Sequence, residues 1–167
     1  MPTLHLLHGL PGSGKTAYAR WLEQQLPAVG FTPDEWMVAL HGTIPPERLV
    51  REQHAKIMAL IWEHAARVLH AGSHVVLDGG SWSRASRDDA RRRAAELGVP
   101  CCFHTLACST DVARQRVLAR TAAMPEGTLE IDRATFEFLA AQFEPMAADE
   151  EFVVVDLASE ITATRGA

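Results

Sequence analysis

The stretch Gly9-Leu10-Pro11-Gly12-Ser13-Gly14-Lys15-Thr16 has the residue types and spacing to hold a phosphorylated ligand. It fits G-x-x-x-x-G-K-[ST], a loop whose backbone N–H groups cradle phosphates. Glycines at 9, 12 and 14 carry no Cβ, so the chain can take φ > 0 and curl around an anion. A helix beginning at the end of the loop adds the partial positive charge of its N-terminus. Lys15 is placed to reach the β- and γ-phosphates, and the Thr16 hydroxyl to ligate Mg²⁺.

Two further acids invite chemistry. Asp34 follows the second expected strand, where a carboxylate can accept the proton of a hydroxyl attacking a γ-phosphate. It can equally be an ordinary acid in a first helical turn. Asp78 closes the third strand, at a place suited to Mg²⁺ or its water shell, or simply to a turn before Gly79-Gly80. Arg116 and Arg120 are four apart and share a helix face. Arginines so placed can close over a triphosphate and supply charge to the transition state. Arg84 and Arg87 lie nearest the end of the third strand and are candidates for a substrate anion. Trp36, Met37 and Trp82 are candidates for an aromatic and apolar pocket wall.

These residues need a frame. Residues 3–8 read as a buried strand and 15–26 as a helix with an apolar stripe of Tyr18, Leu22 and Leu26. A short strand near Val29-Gly30-Phe31 follows. Thr32 with Glu35 reads as a capping box, with Pro33 at the first helical position. A long helix is expected over about 47–71, with Val50, Ile57, Ile61 and Val68 on one face. A strand over 74–78 leads to a basic helix ending at Gly98, then a strand over 100–106. Helices over about 111–120 and 133–143, the second capped by Asp132, precede a last strand over 152–156 and a frayed tail beyond Leu157. Strands alternating with helices predict an α/β fold with a parallel sheet covered on both faces. Ligands in such sheets sit at the carboxyl ends of the strands, where all the acids above fall.

Composition narrows the class. The 167 residues suit one domain. Hydrophobic residues make up 47% and charged residues 22%, which is ordinary globular usage. A net charge of −5 argues against a general polyanion-binding surface. Cys101, Cys102 and Cys108 match neither a disulfide framework nor a zinc spacing, and read as reduced thiols. The eight histidines show no metal-ligand grouping in sequence. His5 and His8 read as satisfied core or surface residues, although His8 adjoins the glycine loop. No apolar run approaches the ~20 residues of a membrane span, and no signal peptide is visible, so a cytoplasmic location is expected.

Taken together, Leu6-Leu7-His8 before the loop, Thr32-Pro33-Asp34-Glu35-Trp36-Met37, Val75-Val76-Leu77-Asp78-Gly79-Gly80 and Arg116-Val117-Leu118-Ala119-Arg120 resemble the small bacterial AAA_33-type P-loop kinases. That group includes phage polynucleotide kinase, the zeta toxins and chloramphenicol phosphotransferase. The resemblance implies a three-layer P-loop NTPase fold with a five-stranded parallel sheet in the adenylate-kinase-like order 2-3-1-4-5. It implies a general-base aspartate at Asp34 and lid arginines at Arg116 and Arg120, on a mobile lid around 116–131 of a single domain. Phage polynucleotide kinase has a tyrosine and then an arginine where this chain has Trp36 and Met37, which disfavours a nucleic-acid substrate. The expectation is an ATP- and Mg²⁺-dependent kinase acting on a hydroxyl of a small-molecule acceptor. Its alternatives are a polynucleotide 5′-hydroxyl kinase, a zeta-toxin-like nucleotide-sugar kinase, and a nucleotide-binding switch. No N-K-x-D guanine motif occurs.

Overall fold

Leu4-His5-Leu6-Leu7-His8 is buried at every position, as a parallel strand covered on both faces must be. It is β1, the central strand of a computed structural model that describes residues 1–45, 47–123 and 128–157, apart from the side chains of Glu47 and Arg51. The elements follow as α1 (Lys15–Gln25), β2 (Ala28–Phe31), α2 (Pro33–His41), α3 (Glu47–His70) and β3 (His74–Leu77). Then come α4 (Arg84–Glu96), β4 (Cys101–Leu106), α5 (Thr110–Ala123), α6 (Arg133–Ala141) and β5 (Val153–Val155). The sheet is wholly parallel in the order β2-β3-β1-β4-β5, the expected 2-3-1-4-5.

Alternation along the strands divides the core. Leu4 and Leu6 of β1, with Val75, Leu77 and Phe103, face Met37 of α2, Ile57, Ile61, Ala65 and Leu69 of α3, and Ala90 and Ala94 of α4. Leu7, Val76, Leu106 and Val155 face the other way, onto Tyr18, Ala19 and Leu22 of α1. Burial of each such large apolar side chain stabilises the fold by roughly 1.5–3 kcal/mol. A third cluster joins Leu10 to Ala113 and Val117 of α5, Ile131, and Phe136 of α6. The glycine loop is thus anchored by its own leucine.

One local expectation changes. Thr32 holds the N-cap position of α2 in extended conformation, but its side chain makes no capping hydrogen bond. Glu35 pairs with Arg20 instead of closing a capping box. Asp132 does cap α6, accepting from the Thr135 N–H, and Ser83 caps α4 by accepting from the Ser86 N–H. Within the expected lid, Thr121 Oγ1 donates to the Ile131 carbonyl and accepts from its N–H, at 3.0 and 3.1 Å. The Glu130 N–H donates to the Thr43 carbonyl. Residues 124–127 of that lid, and the expected frayed tail from 158 onward, lie outside the described residues.

Candidate active site

The loop between β1 and α1 is held from three sides. Gly14 is the left-handed N-cap of α1. Gly12 has φ +81°, and a Cβ there would lie 2.2 Å from the Ala113 carbonyl oxygen. The backbone of α5 therefore packs directly on the loop. From the other side, the Trp82 indole N–H donates to the Gly9 carbonyl at 3.0 Å. Lys15 Nζ curls over the loop and donates to the carbonyls of Gly9 and Leu10, both at 2.9 Å. The Thr16 hydroxyl donates to Asp78 Oδ2 at 2.6 Å, so the loop and the end of β3 meet in one contact.

Several polar groups here are left unsatisfied. Among the described residues, five buried polar side-chain atoms have no hydrogen-bond partner: Ser13 Oγ, Asp78 Oδ1 and Arg120 Nε here, and His41 Nε2 and Arg114 Nε outside the cleft lining. Each such group costs about 1–3 kcal/mol, and three around one site mark a place built for a polar ligand. Asp78 and Arg120 line a cleft of about 1570 Å³, as do Gly12 and Gly14 on either side of Ser13. The backbone is also held unusually there. Ser81, on the β3–α4 loop, is the one described non-glycine residue with positive φ, at 41°, a conformation that costs energy for an L-residue.

Charges in the cleft act on one another. Burial pushes the Asp78 carboxyl up to about 6, against the pull of Lys15 and the Thr16 hydroxyl. Burial lowers Lys15 from its ordinary value, opposed by Asp78 and Asp34. Asp34 is raised by desolvation, with Lys15, Arg120 and His54 pulling it back. Asp34 is nonetheless open to the water of the cleft, which weakens that rise. Its carboxylate thus faces an accessible space while Lys15 and Arg120 act on it.

The expected site residues separate into two sets. Pro11, Gly12, Gly14, Lys15, Thr16, Asp34, Asp78, Trp82, Arg116 and Arg120 all line the cleft. Gly9 and Leu10 support the loop from behind, through the contacts with Trp82 and the α5–α6 cluster. Trp36, Met37, Arg84 and Arg87 do not line it. Met37 is buried in the core beneath α2, and Trp36 packs against Phe31 and His64. Neither therefore faces the cleft. Arg87 is fully buried against Glu150, with both nitrogen–oxygen contacts at 2.7–2.8 Å. Arg84 pairs with Asp88 and Asp149. Both arginines are satisfied structurally, and Arg87 ties α4 to the segment before β5.

Sequence reasoning missed the α3 wall. Val50, His54, Met58 and Trp62 line the cleft at four-residue spacing, a helical stripe visible in the sequence. Of the residues expected on one face, Ile57 and Ile61 are buried in the core and Val50 and Val68 pack against it. Val50 also lines the cleft.

The parallel sheet with a phosphate loop after β1, and the cleft at the strand ends, define a P-loop kinase-like nucleotide-binding fold. Residues 4–146 match the AAA_33 family, described as an AAA domain, and the chain belongs to that family. Kti12 of Chaetomium thermophilum, in complex with ADP-AlF3, is similar at 18% identity and a TM-score of 0.72, over 97% of this chain and 93% of that one. A gluconokinase of Sinorhizobium meliloti 1021 is similar at 21% identity and a TM-score of 0.66, over 97% and 86%. A chain of the Pnkp1/Rnl/Hen1 RNA repair complex is similar at 21% identity and a TM-score of 0.68, over 89% of this chain but 50% of that one. Likenesses at these identities are likenesses of fold. No curated protein matches the chain. Among the described residues no helix is long and apolar enough to cross a membrane.

Proposed function

We propose that this protein is an ATP- and Mg²⁺-dependent kinase that transfers the γ-phosphate to a hydroxyl of an uncharged small molecule. The observation that carries this reading is the shared cleft of Lys15, Thr16–Asp78, Asp34 and Arg120. A hydrolytic switch needs the phosphate loop and a metal site. An acid open to the cleft beside them suits removal of a proton from an acceptor hydroxyl.

In this reading Lys15 exchanges its two carbonyl partners for phosphate oxygens. The Thr16 hydroxyl and the free Oδ1 of Asp78 fit Mg²⁺, an oxygen-seeking ion that usually keeps several waters and takes one or two carboxylates. When bound, Mg²⁺ would neutralise negative charge on the phosphates. Arg120, with its Nε unsatisfied, and Arg116 one turn earlier on α5 would close on the phosphates. Asp34 accepts the proton of the acceptor hydroxyl.

The acceptor end argues for the substrate class. We assign Val50, His54, Met58, Trp62 and Trp82, all lining the cleft, to that end. Among the described lining residues the lysine and arginines are Lys15, Arg116 and Arg120, which belong to the phosphate end. A nucleic acid or sugar acid would leave its own charge unpaired against that wall. The test is a labelled-ATP screen of hydroxyl-bearing metabolites, antibiotics and 5′-hydroxyl oligonucleotides. Transfer to a neutral alcohol, abolished in Asp34→Asn, supports the reading. Transfer only to oligonucleotides, or ATP turnover indifferent to every acceptor, contradicts it.

A further inference from the structure

The histidines show no ligand grouping in sequence, but the fold assembles one. In β1 and β4, His5 stands opposite Cys102, and His104 stands two residues further on. Residues two apart on a strand share a face, so all three side chains project from one side of the sheet, toward α1. One ring nitrogen of His5, one of His104 and the Cys102 Sγ lie within 4.8 Å of one another. This cluster sits at the start of β1, while the phosphate loop follows its end.

We propose that His5, Cys102 and His104 form a binding site for one borderline-soft divalent cation of the zinc class, separate from the nucleotide cleft. Two imidazoles and a thiolate are the donor set such ions select over Mg²⁺.

The geometry beyond the three donors supports a ligand role. His5 Nδ1 and His104 Nε2 point at each other, 3.0 Å apart. The far nitrogen of each ring is held by another side chain. His5 Nε2 meets His74 Nδ1 at 3.4 Å, and His104 Nδ1 meets the Tyr18 hydroxyl at 3.1 Å. Metal-bound histidines are oriented in this way by partners on the nitrogen away from the metal. Four-coordinate zinc places its N and S donors roughly 3.4–3.6 Å apart, so the two rings must separate by a few tenths of an ångström and the thiol must close in. His5 and His104 are buried and Cys102 is half-buried, which leaves the thiol edge as the entry.

Binding balances simply. The ion replaces the hydrogen bond shared by His5 Nδ1 and His104 Nε2. Each imidazole keeps one proton, on the nitrogen facing His74 or Tyr18. The Cys102 thiol loses its proton to solvent, so one H⁺ is released per ion. The bound ion would join β1 to β4, and through Tyr18 to α1, the helix that carries Lys15 and Thr16.

The test uses chelator-stripped full-length protein titrated with Co²⁺ and with Zn²⁺ alone, without nucleotide. The expected result is one equivalent bound, a thiolate-to-cobalt charge-transfer band with four-coordinate visible bands, and release of one proton per ion at neutral pH. Thermal unfolding should shift upward by several degrees with Zn²⁺. Cys102→Ser should remove the charge-transfer band, and His104→Gln should weaken binding at least tenfold. Unchanged nucleotide affinity in Cys102→Ser shows that this variant is folded. No saturable binding by the stripped protein, or binding with no thiolate band that both variants retain, overturns the proposal. Either result leaves the kinase reading untouched, because Thr16 and Asp78 offer only oxygen.

Discussion

Gly12→Ala isolates the contact between the phosphate loop and α5. A Cβ at this position meets the Ala113 carbonyl oxygen at 2.2 Å, and the position has φ +81°. Two costs follow. A left-handed conformation costs an L-residue about 1–2 kcal/mol, or roughly 2–8 °C in Tm for a chain of this size. The second cost is displacement. The opposing atom is backbone and cannot rotate away, so loop and helix must part by about 1 Å, a misplacement that can cost about 100-fold at a reacting centre. Gly72→Ala separates the two. Gly72 lies just after α3 at φ +91°, and its added Cβ meets nothing within 4 Å. Both variants should lose similar stability through the backbone term, with Gly12→Ala losing more. Only Gly12→Ala should weaken Mg·ATP or Mg·ADP binding, by tenfold or more in calorimetry. Equal nucleotide affinity in Gly12→Ala and Gly72→Ala would refute the claim that α5 packing sets the loop.

Other expectations concern the acids and arginines. The Asp78 pKa is raised from 3.8 to about 6 by burial, so the folded protein binds more protons than the unfolded chain in that window. Its contribution to stability is present below about pH 4 and lost above about pH 6, a change of about 3 kcal/mol. Asp78→Asn removes that loss, so without Mg²⁺ the variant should gain Tm over the parent from pH 4 to 7. Mg²⁺-dependent ATP affinity of the parent should rise over the same range, because the ion needs the ionised carboxylate. A constant difference in Tm would contradict the assignment. Arg87→Met leaves the buried Glu150 with Arg91, the more distant Arg84 and the Ala147 N–H as partners. Breaking a buried pair costs about 3 kcal/mol or more, so Tm should fall by roughly 6–12 °C. Nucleotide affinity and the KM for the acceptor should both stay unchanged in the folded variant, whereas loss of a substrate-binding arginine would raise that KM.

Much of the fold could be read from the chain because its strands are short, continuous apolar runs separated by helical stripes. The phosphate loop is recognisable from Gly9, Gly12, Gly14, Lys15 and Thr16 alone, although α5 and Trp82 hold it in place. Asp34 and Asp78 were legible as cleft residues because parallel strands deliver their carboxyl ends to one edge. Side-chain direction on helices was harder. Trp36 stands two residues after Asp34 on α2, about 200° around the helix, and packs on Phe31 and His64, while Met37, three residues after Asp34, is taken up by the core. Arg84 and Arg87 look alike in sequence. Only the arrival of Asp149 and Glu150 from beyond α6 shows that both are engaged in ion pairs. The His5–Cys102–His104 cluster depends on the register of β1 against β4, across about a hundred residues, which no local pattern encodes.

The central claim is that Asp34 takes a proton from an acceptor, while the loop, Thr16 and Asp78 hold the nucleotide. The direct measurement is a paired one on Asp34→Asn: Mg·ATP affinity by calorimetry, and phosphoryl transfer to the best acceptor from the labelled-ATP screen. The expected result is ATP affinity within about threefold of the parent and transfer reduced by at least 100-fold, the scale of a lost general base. Transfer that survives at the parental rate, or ATP binding that collapses together with it, would contradict the account.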